Sequence, residues 1–361
     1  MRICFIANEI FAFGKHGGFG RATRTIGREL SKEGHEVFAV IPRRGIQKKH
    51  EILDGINVLG YEINNPLGAG ELLVEADAQI YHSEEPSFIS FLAQLRLPKR
   101  KHVITFRDTR NFKDWVIEFD QPSKSKLQVI KNILFEDSIF SHLGVKRADA
   151  LGAAAKFLIE KSKRKYHLKE SPLFLPTPVQ IPAEIIKSKK PQVVFVSRLD
   201  RRKRPEKFYD LASHFPNVDF FVVGKGQDQK YISGLNQKYS GISNLNILDF
   251  IDQFNDSRFS EILKSAWILV NSSSREGLPN SFLEATAHQC AILSEVDPDG
   301  FASNFGFHAQ DSNFKAGLDF LLSNDEWKKR GHLGQDYIRQ AYWSPRAIKT
   351  HTDLYNTLLD N

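Results

Sequence analysis

The pattern that most restricts this chain is an alternation that runs twice. Short β-branched or aromatic runs alternate with longer amphipathic stretches. Arg2–Ala7 predicts a strand, Gly20–Glu33 a helix and Glu36–Ile41 the next strand; Gln79–His82 and His102–Phe106 continue the series. After a Lys/Pro-rich stretch from Ile181 to Pro191 the pattern restarts. Strands are expected at Val193–Ser197, Asp219–Val223, Leu245–Leu248, Trp267–Asn271 and Ala291–Ser294, with helices at Pro205–Phe215, Ser257–Ser265 and Ser281–His288. Strands that alternate with helices pair in parallel through right-handed crossovers. Two such series predict an α/β chain of two doubly wound, Rossmann-like domains, with the carboxyl edges of their strands facing each other across a cleft. The expected division is residues 1–183, residues 184–340, and a closing helical segment, 341–361, that packs back on the first domain.

A chain of 361 residues with 41% hydrophobic residues can bury two such cores. Its two cysteines, Cys4 and Cys290, both lie in apolar runs and build neither a disulfide framework nor a metal site, which fits a reducing cytoplasm. The apolar start Met1–Ala7 stops at Asn8-Glu9 and reads as a strand rather than a signal peptide. No apolar run approaches the roughly 20 residues of a membrane span. The net charge of +7 is uneven. Residues 1–170 hold 28 Lys+Arg against 21 Asp+Glu, whereas residues 171–361 hold 22 of each. The densest run is Lys161-Ser162-Lys163-Arg164-Lys165. A basic face of this kind suits an anionic membrane or a phosphorylated substrate, and equally a solvated surface. The cations are not interleaved with aromatics in a recognisable nucleic-acid module, so no nucleic-acid partner is expected.

The most informative segment is Ser272-Ser273-Ser274-Arg275-Glu276-Gly277-Leu278-Pro279-Asn280-Ser281-Phe282-Leu283-Glu284. It follows a buried-strand run, turns at Gly277, and enters a helix through Pro279, Asn280 and Ser281. Glu276 therefore lies in the loop and Glu284 about one turn into the helix. Backbone N–H groups between them have no helical acceptor and suit an anion or sugar hydroxyls. Spacing alone is equally compatible with a capped helix carrying two solvated acids.

This segment resembles the Glu-x7-Glu signature of retaining glycosyltransferases of family four, which have the GT-B architecture. The resemblance implies that Glu276 contacts the donor sugar, that Gly277, Leu278, Pro279 and Asn280 contact sugar and phosphate, and that Glu284 binds ribose. Val194-Phe195-Val196-Ser197-Arg198-Leu199, followed by Lys203 and Pro205-Glu206, resembles the family's Gly-Arg-Leu…Lys-Gly segment. Arg198 and Lys203 would then hold the nucleoside diphosphate and steady the leaving group. A strand end that delivers two cations into a cleft can offset charge growing on a departing phosphate. Gly14 to Gly20, with Gly17-Gly18 at its centre, resembles the family's N-terminal Gly-Gly loop. Gly224, after Phe221-Val222-Val223, and Phe250-Ile251 occupy the family's nucleotide-pocket and base-contact positions. His82, ending an Asp-x-x-x-x-His strand, could face the acceptor. Tyr342-Trp343-Ser344 resembles the aromatic that precedes the family's last helix.

Departures fall mainly in the first half. Arg107 stands where the family has His near the reacting centre; Arg carries no transferable proton at neutral pH but can bind an anionic ligand. Pro176-Thr177-Pro178-Val179 replaces Pro-Asn-Gly-Val, and Gln289 replaces a helix-ending Gly. The expected reaction moves a hexose-type unit from a nucleoside diphosphate sugar to a hydroxyl of a glycan or lipid-linked acceptor, with retention. No metal or other cofactor is expected. The positive first half adds peripheral contact with an anionic membrane. The alternatives are a sugar-nucleotide epimerase of similar architecture and a non-catalytic relative that binds nucleotide or a partner.

Overall fold

A computed structural model describes every residue of the chain except Lys15 and Lys124. It divides into two compact units. The first comprises Met1–Asn111, Ile130–Pro178 and Ala341–Asn361; the second comprises Phe112–Val129 and Val179–Gln340.

The first unit carries eight strands: β1 Arg2–Ile6, β2 Glu36–Pro42, β3 His50–Leu53, β4 Ile56–Tyr61, β5 Ile80–Ser83, β6 Lys101–Phe106, β7 Ala150–Ala153 and β8 Leu173–Phe174. Their order is β3-β4-β2-β1-β5-β6-β7-β8, and only the β3–β4 pair is antiparallel. The order runs outward from β1 in one direction and from β5 in the other, so the topological switch lies between β1 and β5. Its helices are α1 Gly18–Lys32, α2 Ala69–Ala76, α3 Phe88–Arg96, α6 Ile139–Arg147, α7 Lys156–Tyr166 and the last helix, α15 Ser344–Asp360; α5 Lys126–Glu136 begins in the second unit and ends in the first. One face of the sheet packs Ile3, Phe5 and Val37 against Ile26 and Leu30 of α1 and Ile348 and Tyr355 of α15. The other packs Cys4, Ile6 and Val40 against Leu72, Leu73 and Ala93 of α2 and α3. Two covered faces explain why β5 is buried along its whole length.

The second unit has six strands: β9 Gln192–Val196, β10 Asp219–Val223, β11 Leu245–Leu248, β12 Ile268–Asn271, β13 Ala291–Ser294 and β14 Gly306–His308. They pair in parallel throughout, in the order β11-β10-β9-β12-β13-β14. The switch here lies between β9 and β12. The helices are α4 Phe112–Asp120, α8 Pro205–His214, α9 Gln229–Lys238, α10 Arg258–Ser265, α11 Asn280–Ala287, α12 Phe301–Phe305, α13 Phe314–Leu322 and α14 Glu326–Ala341. Phe195, Phe208 and Phe220 fill the core beside Ile268, Leu293 and Leu318. Trp267 and Trp327 stack with ring centroids 4.3 Å apart.

The Lys/Pro-rich stretch that separates the two series is fastened to the second unit. Ser188 N–H donates to Ser265 O at 3.1 Å, and Trp267 Nε1 donates to Ser188 O at 2.9 Å. The Lys187 ammonium is half-buried among main-chain carbonyls, donating to His288 O at 2.7 Å and to Ala266 O. These bonds give partners to carbonyls at the ends of α10 and α11.

Two buried histidines tie stability to pH. Burial and the nearby Arg107 push His351 down to about 4, against the pull of its bond to Pro176 O. Burial first, then Lys187 and Lys264, push His288 to about 4 against the Glu284 carbonyl. The unfolded chain therefore binds these protons more tightly than the native one between pH 6.5 and 4. Stability is complete above 6.5 and falls with acidification, by roughly 2 kcal/mol per histidine at pH 5. The urea midpoint is expected to drop from pH 7 to pH 5, and to drop less in His351→Gln; a pH-independent midpoint contradicts this account.

Candidate active site

The strongest convergence of charge lies at the switch between β9 and β12. Beyond β9 the chain keeps pairing with β10, through Ser197 N–H to Val223 O and Leu199 N–H to Lys225 O, both 3.2 Å. That approach leaves no room at Gly224, where a Cβ would lie 1.8 Å from Ser197 O. Past Leu199 the chain turns on Asp200, whose backbone and side-chain oxygens accept the Lys203 N–H at 3.0 and 3.2 Å. Arg204, in left-handed backbone (φ 46°), then leads into Pro205, the first residue of α8.

The loop after β12 is laced to this turn. Arg204 Nε donates to Ser272 O at 2.6 Å, and Ser274 N–H donates to Arg202 O at 3.1 Å. The Ser272 hydroxyl lies 2.8 Å from the carbonyls of both Lys203 and Arg204. The lacing brings the Lys203 ammonium onto Glu276 Oε1, which also accepts the Ser273 hydroxyl at 2.7 Å. Burial lowers the affinity of Lys203 for its proton, with Arg202 and Arg198 adding to the effect, while Glu276 opposes it. Burial alone would raise Glu276, but Lys203, Ser273 and Arg202 outweigh it and hold the carboxyl below its usual range. Glu276 is thus an anion at neutral pH, and the site can offer a carboxylate and a cation side by side.

Arg198 stands on the same turn with its side chain 44% exposed, 3.3 Å from Asp200. It is available to an incoming anion at little desolvation cost. Gly277, Leu278, Pro279 and Asn280 form a half-buried turn. Pro279 takes the N-cap position of α11, with no side chain closing the helix end. Glu284 is the fifth residue of α11, about one turn in, and half-buried. Phe250 is half-buried and Ile251 buried; they follow β11, the edge strand two places from β9. Gln289, in place of a helix-ending Gly, adopts φ 60° after α11 and donates through Nε2 to Gln335 at 3.0 Å. Asp297, in the chain's one Asp-x-Asp, accepts the Ala302 N–H at 2.7 Å and so caps α12. Among the described residues no group of three His, Cys, Asp or Glu side chains gathers as a metal site.

Sequence reasoning missed four residues around this pair. Asp114 and Glu118, one turn apart on α4, grip the arginine next to Glu276. Arg275 Nη1 lies 2.8 Å from Glu118 and its Nε 3.1 Å from Asp114, while Arg202 Nη1 lies 3.1 Å from the other Glu118 oxygen. Arg275 and Glu118 are both buried. The available signal was an i,i+4 pair of acids on a helix beside Trp115, which without tertiary contacts reads as a solvated face.

At the switch of the first unit the picture differs from expectation. Gly17 does press close to an anion, but the anion belongs to the chain. A Cβ at Gly17 would lie 1.9 Å from Glu9 Oε1, and that buried carboxylate accepts the Gly20 N–H at 3.2 Å. Gly18 opens α1 directly behind it; Lys15, within the same glycine loop, is outside the described residues. His82, expected at the acceptor side, is fully buried. Its Nδ1 lies 2.6 Å from Tyr355 Oη and its Nε2 2.6 Å from Thr105 Oγ1. Burial, His351 and Arg107 hold it neutral, so it is a satisfied core histidine in this structure. Arg107 is likewise buried, ion-paired with Glu84, and donates to Thr177 Oγ1 at 2.8 Å. The two departures in the first half of the sequence thus touch each other.

Residues 177–335 match the family model of glycosyl transferases group 1, and residues 2–142 match that of the starch synthase catalytic domain. Residues 177–335, which contain the whole β9–β12 switch and both acids of the Glu276–Glu284 segment, thus resemble a group 1 glycosyltransferase domain. Solved structures share the fold across nearly the full length. Anabaena HepE in complex with UDP-glucose aligns with a TM-score of 0.71 at 12% identity, over 98% of this chain and 99% of its own. WaaG, a glycosyltransferase involved in lipopolysaccharide biosynthesis, aligns at 0.68 and 14%, over 98% and 99%. An S. aureus TarM mutant in complex with fondaparinux, α-GlcNAc-glycerol and UDP aligns at 0.61 and 15%; 80% of this chain spans 59% of that one. These likenesses establish the α/β GT-B fold. No curated protein matches the chain.

Removing one partner of the buried α4 cluster should strand a buried arginine. Glu118→Ala is expected to lower stability in urea by about 3 kcal/mol. The exposed-pair control Glu261→Ala should stay within about 0.5 kcal/mol. Equal, small effects would show that the cluster is dispensable.

Proposed function

We propose that this protein transfers a hexose-type unit from a nucleoside diphosphate sugar to a hydroxyl of a glycan or lipid-linked acceptor, with retention at the anomeric carbon. The observation that carries the reading is the Lys203–Glu276 pair at the β9–β12 switch, its lysine buried and its glutamate half-buried, inside the segment that matches the group 1 family. In such sheets ligands bind outside the carboxyl ends of the strands at the switch. A bound donor would take Lys203 and Arg198 onto its diphosphate, where their charge offsets that of the leaving group. Glu276, freed from its partner, would accept hydroxyls of the donor sugar, and Glu284 the ribose diol. The open end of α11 would supply amides to sugar and phosphate. With cations built into the turn, the reaction needs no metal to neutralise the diphosphate. No side chain is assigned as base, because the departing phosphate can itself accept the acceptor's proton.

Uridine is the base to test first, since HepE and TarM are solved with UDP ligands. The role of WaaG supports an envelope glycan or glycolipid as the product class. The charge excess of residues 1–170 supports an acceptor held at an anionic membrane surface, and two buried, unpaired cysteines support the cytoplasmic side of that membrane. Among the described residues no helix is long and apolar enough to cross a membrane.

A thermal-shift screen with UDP, GDP and ADP sugars should raise the midpoint for one base, because a ligand bound only by the native state stabilises it. With that donor, Glu276→Gln and Lys203→Gln are each expected to cut donor hydrolysis and transfer by roughly 100-fold or more, with circular dichroism unchanged. Wild-type turnover in both variants would dismiss the assigned site.

A further inference from the structure

Helix α5 is built inside out. Viewed down its axis at about 100° per residue, Leu127, Ile130, Leu134 and Phe135 fall within an arc of roughly 140°, with Lys131 among them. That arc faces solvent: Leu134 is 68% and Phe135 71% exposed. The buried side holds Val129, and Glu136 lies on that flank. Helix α6 continues the surface with Ile139, 69% exposed, and with Leu143 one turn further on. A monomer seldom leaves so many large apolar side chains together in water, and such a patch marks a surface that docks.

The charges around the patch specify what it docks on. Lys126, Lys131, Lys146 and Arg147, on the same two helices, are all exposed. The two acids at the α5–α6 junction are withdrawn: Glu136 is paired with Arg110 and Asp137 with Lys165. From Lys126 to Lys165 the chain holds nine Lys and Arg against four Asp and Glu, so +5 of the total +7 sits here. Lys165 also lines a recess of about 440 Å³ with Lys161 and Arg164 of α7, and the His142 ring of α6 lies 4.9 Å from Tyr166 at the end of α7. The basic run singled out in the sequence thus adjoins the apolar ridge. Apolar side chains rimmed by cations match an anionic lipid surface, where the first enter the acyl boundary and the second meet headgroup phosphates. A symmetric second copy fits worse, since it would press the cationic rims of two chains together. Helix α5 has 11 residues, about 16 Å, so it can lie in the interface but not span it.

We propose that the outward faces of α5 and α6 form the membrane-docking surface of this protein, specific for anionic bilayers. The proposal deepens the reading of a membrane-held acceptor, but it stands without the donor chemistry. The full-length protein should co-float with phosphatidylcholine vesicles that contain phosphatidylglycerol and bind pure phosphatidylcholine at least tenfold more weakly. Binding should weaken with salt. Lys131→Glu with Lys146→Glu should remove the preference for anionic vesicles, since each cation contributes about fivefold in partitioning. Leu134→Ser with Phe135→Ser should lower partitioning more than tenfold at an unchanged melting midpoint. Three results overturn the proposal: no binding to anionic vesicles, wild-type binding by the Leu134/Phe135 variant, or a concentration-dependent dimer that this variant abolishes. Hydrolysis of a water-soluble donor is expected to persist in every variant. Its absence alongside intact vesicle binding would remove the transferase reading and leave the docking surface standing.

Discussion

A buried ammonium needs a carboxylate, and the second unit is organised around supplying one. Lys203 and Glu276 lie 73 residues apart in the chain. They meet because β9 and β12 are neighbours in the sheet and their following loops exchange main-chain and serine hydrogen bonds. If the crossover order were different, Lys203 would be a lone buried charge, costing several kcal/mol. The surrounding features follow from this pair. Gly224 lacks a side chain so that the β9 turn can lie close, Arg204 takes left-handed backbone to enter α8, and Asp114 and Glu118 absorb the charge of Arg275 and Arg202 beside it.

The first unit solves a similar problem with a different set of residues. At the ends of β5 and β6, Glu84 and Arg107 form a buried pair whose arginine reaches Thr177. Burial first, with the arginine's charge adding to it, discourages protonation of His82 and His351, which stay neutral and join Thr105, Tyr355 and the Pro176 carbonyl in one network. That network anchors α15 to the sheet. Arg107 and Thr177 are thus coupled in this structure: the buried guanidinium is balanced by Glu84 and donates one further bond to the Thr177 hydroxyl. The same logic explains Glu9, whose carboxylate is held where Gly17 leaves room and the Gly20 N–H points.

Helix α5 breaks the usual rule for a surface helix, and the break is itself informative. Its charged Glu136 turns to Arg110, while its leucines and Phe135 turn to solvent. A sequence pattern records that a helix is amphipathic but not which face the rest of the chain covers.

The sequence by itself determined the alternation of strands and helices, the parallel pairing of the strands it picked out, and the loop positions of Arg198, Lys203 and Glu276. These follow from local periodicity, from turn chemistry at Gly277 and Pro279, and from apolar strand runs such as those at β9 and β12. The β3–β4 hairpin, β7, β8 and β14 came only with the structure. Helix limits were legible to within a residue or two, as at Asn280–Ala287. Only the tertiary structure decided that α4 belongs with the second unit, that His82 is spent inside the core, that Arg107 and Thr177 touch, and that the apolar face of α5 looks outward. Each of these depends on what lies across space from a side chain. Burial, pairing and desolvation are properties of the neighbours, and no spacing along the chain encodes them.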